Sequence, residues 1–86
     1  MKKINMELIT PDGIYFDEDA LSIIIPLIDG LAGIMYNHSP MIAKLSDGYI
    51  TGKNIYNRNF KYYIKGAIIE IFNNNVTVLA EDVQKN

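Results

Sequence analysis

Over no stretch of ten or more residues do the apolar side chains of this 86-residue chain repeat at the period of a helix. They come in short runs instead, broken by turn residues about every 8 to 12 positions, as in a sandwich or barrel. Fifteen isoleucines, six tyrosines and three phenylalanines fill those runs. Branched and aromatic side chains lose rotamer freedom in helices and pack well on a pleated surface, so the chain reads as all-β. Its length allows one core, and a hydrophobic share of 49% can fill it. The 21% of charged residues is too few for a disordered chain.

The strands can be read in order. Ile4, Met6 and Leu8 alternate with Asn5 and Glu7. Thr10-Pro11-Asp12-Gly13 has proline where a turn needs its first dihedral preset and glycine where it closes, predicting a hairpin into Ile14-Tyr15-Phe16. Asp17-Glu18-Asp19 lacks the spaced oxygen ligands and central glycine of a calcium loop, and is read as a solvated turn. Leu21 to Ile25 forms a strand apolar on both faces, ended by Pro26. From Asp29 to Pro40 the chain is expected to be irregular, punctuated by Gly30, Gly33, Asn37 and Pro40. Ser46-Asp47-Gly48 turns into Tyr49–Thr51, and Asn57-Arg58-Asn59 joins Lys53–Tyr56 to Phe60–Lys65. Phe60, Tyr62 and Ile64 share one face there, with Lys61, Tyr63 and Lys65 on the other. Gly66 marks a bulge or a close backbone approach. Ala67–Phe72 and Val76–Ala80 follow as strands joined across Asn73-Asn74-Asn75. The predicted fold is all-β, about eight to ten short strands in two packed layers. Residues 1–81 form its single domain and 82–86 a polar tail.

Little chemistry is available to such a chain. With no cysteine there is no thiolate nucleophile, thiolate metal site or disulfide, and one histidine makes an all-protein metal site improbable. Eight scattered lysines and arginines under a net charge of -2 do not supply the counterion-release drive of nucleic-acid binding. The apolar runs Ile23–Leu27 and Ala67–Ile69 are far shorter than a membrane span, and Met1-Lys2-Lys3 is not followed by a signal-peptide core, so the expected location is the cytoplasm. Ser39 beside His38 is a poor nucleophile and base pair, because adjacent side chains on an extended chain point apart. No helix follows Gly30 and Gly33 to build a phosphate cradle. No catalytic, cofactor-binding or metal-binding residue is assigned. Two readings stay open for His38: a loop residue bonded to a backbone carbonyl, or a contact on a binding face. Lys61, Tyr63 and Lys65 likewise read as a solvated face or as part of a protein interface.

Several features fall in one order: Thr10-Pro11-Asp12-Gly13 with Phe16, a strand ending at Pro26, Gly30-x-x-Gly33-Ile34, His38-x-Pro40, Leu45-x-x-Gly48, Ile64-x-Gly66, Glu70-Ile71, and Asn75 through Ala80. From about Met6 to Glu81 this resembles the N-terminal β-sandwich domain of the epsilon subunit of F-type rotary ATP synthases. The resemblance implies a flattened β-sandwich of about ten short strands, and a noncatalytic rotor subunit without cofactor. Such a subunit clamps the foot of the gamma shaft below the catalytic alpha/beta head, sits on the membrane ring of c subunits, and lies peripherally at the cytoplasmic face of the membrane. Carried over by position, the gamma-facing surface would include His38, Pro40, Ile42, Ala43 and Lys65. The ring-facing loop would be Asp29, Gly30, Leu31 and Ala32, and the structural glycines Gly33, Gly48 and Gly66. This chain departs from the family pattern with Leu27 after Pro26, Leu31-Ala32 in place of an acid and a hydrophobe, and Ala67 after Gly66. It stops at Asn86, so the helical hairpin of most bacterial members, with its inhibition and nucleotide binding, is expected to be absent. Two alternatives accompany this reading: an epsilon-like subunit of a diverged rotary ATPase that pumps no ions, and a free-standing β-sandwich adaptor.

Overall fold

The computed structural model describes residues 1–85. Seven strands and no helix make up this part: β1 (Ile4–Thr10), β2 (Gly13–Leu27), β3 (Gly30–Ile34), β4 (Met41–Lys44), β5 (Gly48–Asn54), β6 (Asn59–Phe72) and β7 (Asn75–Lys85). The alternation of β1 sends Ile4, Met6 and Leu8 into the core. Both edges of β1 are paired, antiparallel to β2 and parallel to β7. The sheet order β1-β7-β6-β5-β2 closes because β2 also pairs with β1.

Two layers result. One contains residues 13–20 of β2, then β1, residues 75–80 of β7, residues 67–72 of β6, and β4. The other contains β3, residues 22–27 of β2, then β5, residues 59–65 of β6, and residues 82–85 of β7. Three long strands therefore serve both layers, and the expected ten short strands are seven continuous ones. At each crossing the inward-facing parity shifts by one residue. Phe16 and Ala20 give way to Ile23 and Ile25, Tyr62 and Ile64 to Ala67 and Ile69, and Val76, Val78 and Ala80 to Val83. Side chains alternate with a strict period of two, so a strand that turns a corner must spend one residue to keep facing the core.

One corner runs across three neighbouring strands. The Leu45 N–H donates to the Ala67 carbonyl at 2.9 Å, and the Gly66 N–H donates to Asp47 Oδ1 at 3.0 Å. Gly66 sits at φ +58, where only glycine is unstrained, and a Cβ there would lie 2.7 Å from the Glu81 carboxyl carbon. Its neighbours pair in one unbroken register with β7, so the residue is a corner and no extra residue is inserted as a bulge would require.

The structure revises four expectations. Asp17-Glu18-Asp19 is strand, paired to Glu7, Met6 and Asn5 of β1. The Asn5 amide donates to Asp17 Oδ1 and Asp19 Oδ1, and the Lys3 ammonium meets Asp19 Oδ2 at 2.8 Å, so the acidic run is tied down from the partner strand. The stretch after Pro26 is irregular only in part, because Gly30–Ile34 returns as β3 against β2. The polar residues 82–85 continue β7 beside β6, since Val83 still points at the core; Asn86 lies outside the described residues. Gly33 has no positive φ, and a Cβ there would meet nothing within 4 Å, so it is no structural glycine.

The asparagines have a common use. Asn37, Asn57, Asn73 and Asn74 are the non-glycine residues with positive φ among those described. Asn73-Asn74 forms a two-residue hairpin turn between Phe72 and Asn75, with both central residues left-handed as the strand twist demands. The turn also anchors its surroundings, because the Asn74 carbonyl accepts the Asn5 N–H and its side-chain oxygen accepts the Asn37 N–H.

The Lys3 hydrogen bond, followed by that of Asn5, lowers the Asp19 pKa below its ordinary 3.8. A carboxyl depressed by folding adds stability above its unfolded pKa and loses it as pH falls through the folded value. Lys3 is exposed and Asp19 only half-buried, so solvent screens the pair and the increment is small. Lys3→Ala should therefore lower the neutral plateau of a melting-temperature profile slightly and flatten its acid limb between about pH 5 and pH 2, with variant and parent converging at the acid end. An unaltered acid limb would count against the pairing.

Candidate protein-interaction surface

The outer face of the layer built on β1 is apolar where an isolated sandwich would be polar. Strand register sets Ile9 beside Leu79 and Leu79 beside Ile68 in one cross-strand row, with Ile14 next to Ile9. On β4, Ile42 stands outward at 74% exposure, while Ile68 and Leu79 are each 46% exposed. Shallow hollows run together across this face. One is lined by Ile9, Pro11, Ile68 and Leu79; the next by Ile42, Ile68 and Leu79; the third by Pro40, Ile42 and Phe72. An apolar patch of this kind marks a docking surface. Glu70 lies within it, lining the second and third hollows between Ile68 and Phe72 on β6, and Glu7 stands across Thr77 from Glu70.

The residues expected to face gamma distribute unevenly around this patch. Ile42 lies on it, and Pro40 lines the hollow beside Ile42 and Phe72. His38 stands at the rim in the loop after β3, in a shallow hollow with Pro40, Phe72 and Asn74. Its backbone N–H donates to the Met35 carbonyl, and its Nδ1 is 2.7 Å from the carbonyl oxygen of Ser39. The ring thus engages the backbone carbonyl of Ser39, which satisfies the first of its two readings. Ala43 is a correction: it turns inward and packs against the core, because β4 alternates and Ile42 takes the outward position. Lys65 is exposed at the corner opposite Asp82, in the second layer. Sequence reasoning missed Ile9, Ile68, Leu79 and Phe72. Their signal was available, since Ile68-Ile69 and Val78-Leu79 place apolar side chains on both faces of their strands.

The expected ring-facing loop is the tip of the β2–β3 hairpin. Ile28 and Asp29 turn there, Gly30 opens β3 opposite Leu27 at φ +132, and Leu31 is 74% exposed near Ile28 at 80%. Ala32 packs against the core and leaves the tip. Of the remaining glycines singled out, Gly48 backs closely onto Pro26, where a Cβ would fall 3.3 Å from the proline Cβ. Gly52, which sequence reasoning passed over, is far more confined. A Cβ there would lie 2.5 Å from the Phe60 ring edge and overlap the Ser22 carbonyl oxygen.

Comparison with known proteins matches the geometry to a family. The family described as ATP synthase, Delta/Epsilon chain, beta-sandwich domain matches residues 3–86. The ATP synthase epsilon chain of Lactobacillus johnsonii is 31% identical over 98% of this chain and 60% of its own length. That of Rickettsia typhi is 32% identical over 91% and 73%, and that of Chlorobium limicola 30% identical over 95% and 93%. The chain thus spans well under two thirds of the first of these relatives and nearly all of the last. Among solved structures, a chain of the Euglena gracilis mitochondrial ATP synthase superposes with a TM-score of 0.91 at 17% identity, covering 99% of this chain and 54% of that one. A chain of the Tetrahymena thermophila mitochondrial ATP synthase central stalk and c-ring gives 0.81 at 16% identity, covering 98% and 67%. At such identities the likeness is one of fold. The family match over nearly the whole chain and the 30% identity across both lengths carry the assignment: this chain belongs to the ATP synthase delta/epsilon chain β-sandwich family.

Proposed function

We propose that the chain is a noncatalytic central-stalk subunit of a rotary ATP synthase, docking on the foot of the gamma shaft through the outer face of the β1 layer. The observation that supports this most is the row of exposed Leu79, Ile68 and Ile42 with half-buried Ile9, which needs a partner to leave water. His38 and Pro40 border the same interface. The closed sheet suits a torque-bearing part, because its long strands run through both layers and cannot slide past each other without breaking ladders. The β2–β3 tip, with Asp29, Gly30 and Leu31, reaches toward the c-ring. The complex would hold the chain peripherally at the cytoplasmic face of the membrane; no helix of the described residues is long and apolar enough to cross it.

The exposed Ile28 and Leu31 favour an apolar seat for the tip, and on that observation rests a second reading, a diverged rotary ATPase in which no c-ring is present. Co-expression with the gamma subunit of the same cells, followed by gel filtration, should give a one-to-one complex at micromolar concentration. Separate elution of the two would overturn the leading reading. Purification of the native complex in mild detergent distinguishes the two motors: a proteolipid accompanying gamma and the head supports the synthase, and its absence supports the diverged enzyme.

A further inference from the structure

Half of the chain's eight lysines and arginines come together in space, three from the β5–β6 hairpin and one from the end of β7. Lys53 on β5, Arg58 in the β5–β6 turn, Lys61 on β6 and Lys85 at the end of β7 line one open groove of about 640 Å³, at the far end of the second layer from the Gly66 corner. Phe60 and Tyr62 also line it, on the strand face opposite Lys61, and Glu18 is the one carboxylate among the described lining residues. Among the described residues none of these four cations makes a salt bridge, the one ion pair being Lys3 with Asp19. Lys61 rests instead over the Tyr49 ring, with its Nζ 4.3 Å from the centroid.

The turn that carries Arg58 is held in place. Asn54 Oδ1 accepts the N–H groups of Tyr56 and Arg58 at 2.9 and 3.0 Å, and the Asn54 N–H donates to the Arg58 carbonyl at 2.9 Å. Asn57 completes the turn at φ 62. The only arginine of the sequence is therefore presented from a fixed backbone. Converging cations repel one another, and in a chain of net charge -2 nothing about the overall composition requires them to gather. Three come from the β5–β6 hairpin and the fourth from the end of β7 beside it, a short span that suits a compact anion better than an extended acidic segment.

We propose that this groove binds a compact, soluble polyanion of the phosphate-ester class, with Arg58 supplying a planar fork to phosphate oxygens, the three lysines supplying point charges, and Phe60 and Tyr62 bounding the organic part. The groove lies in the layer opposite the apolar docking face, so the site stands whether or not gamma is the partner there.

The test is a titration of the isotopically labelled full chain with inorganic tripolyphosphate at constant ionic strength, followed by amide chemical shifts. Saturable shifts should appear between Lys53 and Lys61 and at Lys85, with a dissociation constant below about 1 mM. Arg58→Ala and Lys61→Ala, both at exposed positions, should each weaken binding by about tenfold while leaving the amides of the β1 layer unmoved. Shifts that stay linear, or that an equal ionic strength of sodium chloride reproduces, would overturn the proposal. So would saturation by a poly-glutamate peptide or by phosphatidylglycerol vesicles without saturation by tripolyphosphate, which would make the groove a docking surface for a protein or a membrane.

Discussion

Gly52→Ala should cost this small domain about 3 kcal/mol, which for its size is a fall in melting temperature of about 10 to 20 °C. The reason is local and cannot be relieved by a side-chain rotation. Gly52 pairs with Ile23 on one side and with Phe60 on the other, so its missing side chain would point between two occupied strands. The new methyl carbon would overlap the Ser22 carbonyl oxygen, which is backbone, and would lie 2.5 Å from the Phe60 ring edge. Phe60 is itself held by Phe16 at a ring separation of 5.2 Å, so turning it away disturbs an aromatic cluster that includes Tyr62. Gly33→Ala is the matched control. It is also a strand glycine, yet its added Cβ meets no atom within 4 Å, so its melting temperature should hold or rise slightly as the unfolded chain loses freedom. Shortening Phe60 to leucine in the Gly52→Ala background should restore only part of the loss, because the clash with Ser22 remains. Equal melting temperatures for the two alanine variants, by calorimetry or circular dichroism, would show that β2 and β5 are not packed this closely.

The Gly52 contact also shows where sequence reading stops. Ile4, Met6 and Leu8 could be assigned inward from alternation alone, and so could Phe60, Tyr62 and Ile64, because one strand carries the whole pattern. The need for glycine at position 52 arises from residues 22 and 60, brought beside it by pairing, and no local pattern encodes it. The crossings were obscured for a different reason. A reader following parity from Tyr62 and Ile64 meets Ala67 and Ile69 out of step, and takes one strand for two. Asp17-Glu18-Asp19 has poor strand propensity, and the pairing with β1 overrides it. Met41–Lys44 is short and apolar at three of its four positions, so alternation could not tell Ile42 from Ala43; the packing of the layers decides it. Positional carry-over from the family reached the neighbourhood of the apolar patch through Pro40 and Ile42, but Ile68 and Leu79 came only from the register of β6 and β7.

Adjacent isoleucines on β6 give the proposed docking face its sharpest test. Ile69 is fully buried and Ile68 points outward from the next position, so the same substitution asks two different questions. Ile69→Asp would place a carboxylate in the core without a partner, at a cost of several kcal/mol that a domain of this size does not have in reserve, and the chain should fail to fold. Ile68→Asp leaves the carboxylate in water and forfeits only strand preference and part of one side chain's burial, about 1 kcal/mol at most. Its melting temperature should stay within a few degrees of the parent. In complex with gamma, however, that carboxylate would be driven out of water into the apolar row beside Leu79, at the end that Lys44 closes. A loss of about 2 to 4 kcal/mol, or roughly 30- to 1,000-fold in affinity, is the expected result by titration calorimetry. Ala43→Arg cannot serve in its place, since that side chain faces the core and a lost interaction would report misfolding. A folded Ile68→Asp chain that binds gamma as tightly as the parent would mean that the shaft sits elsewhere on the sandwich, and the exposed row would then belong to a different partner.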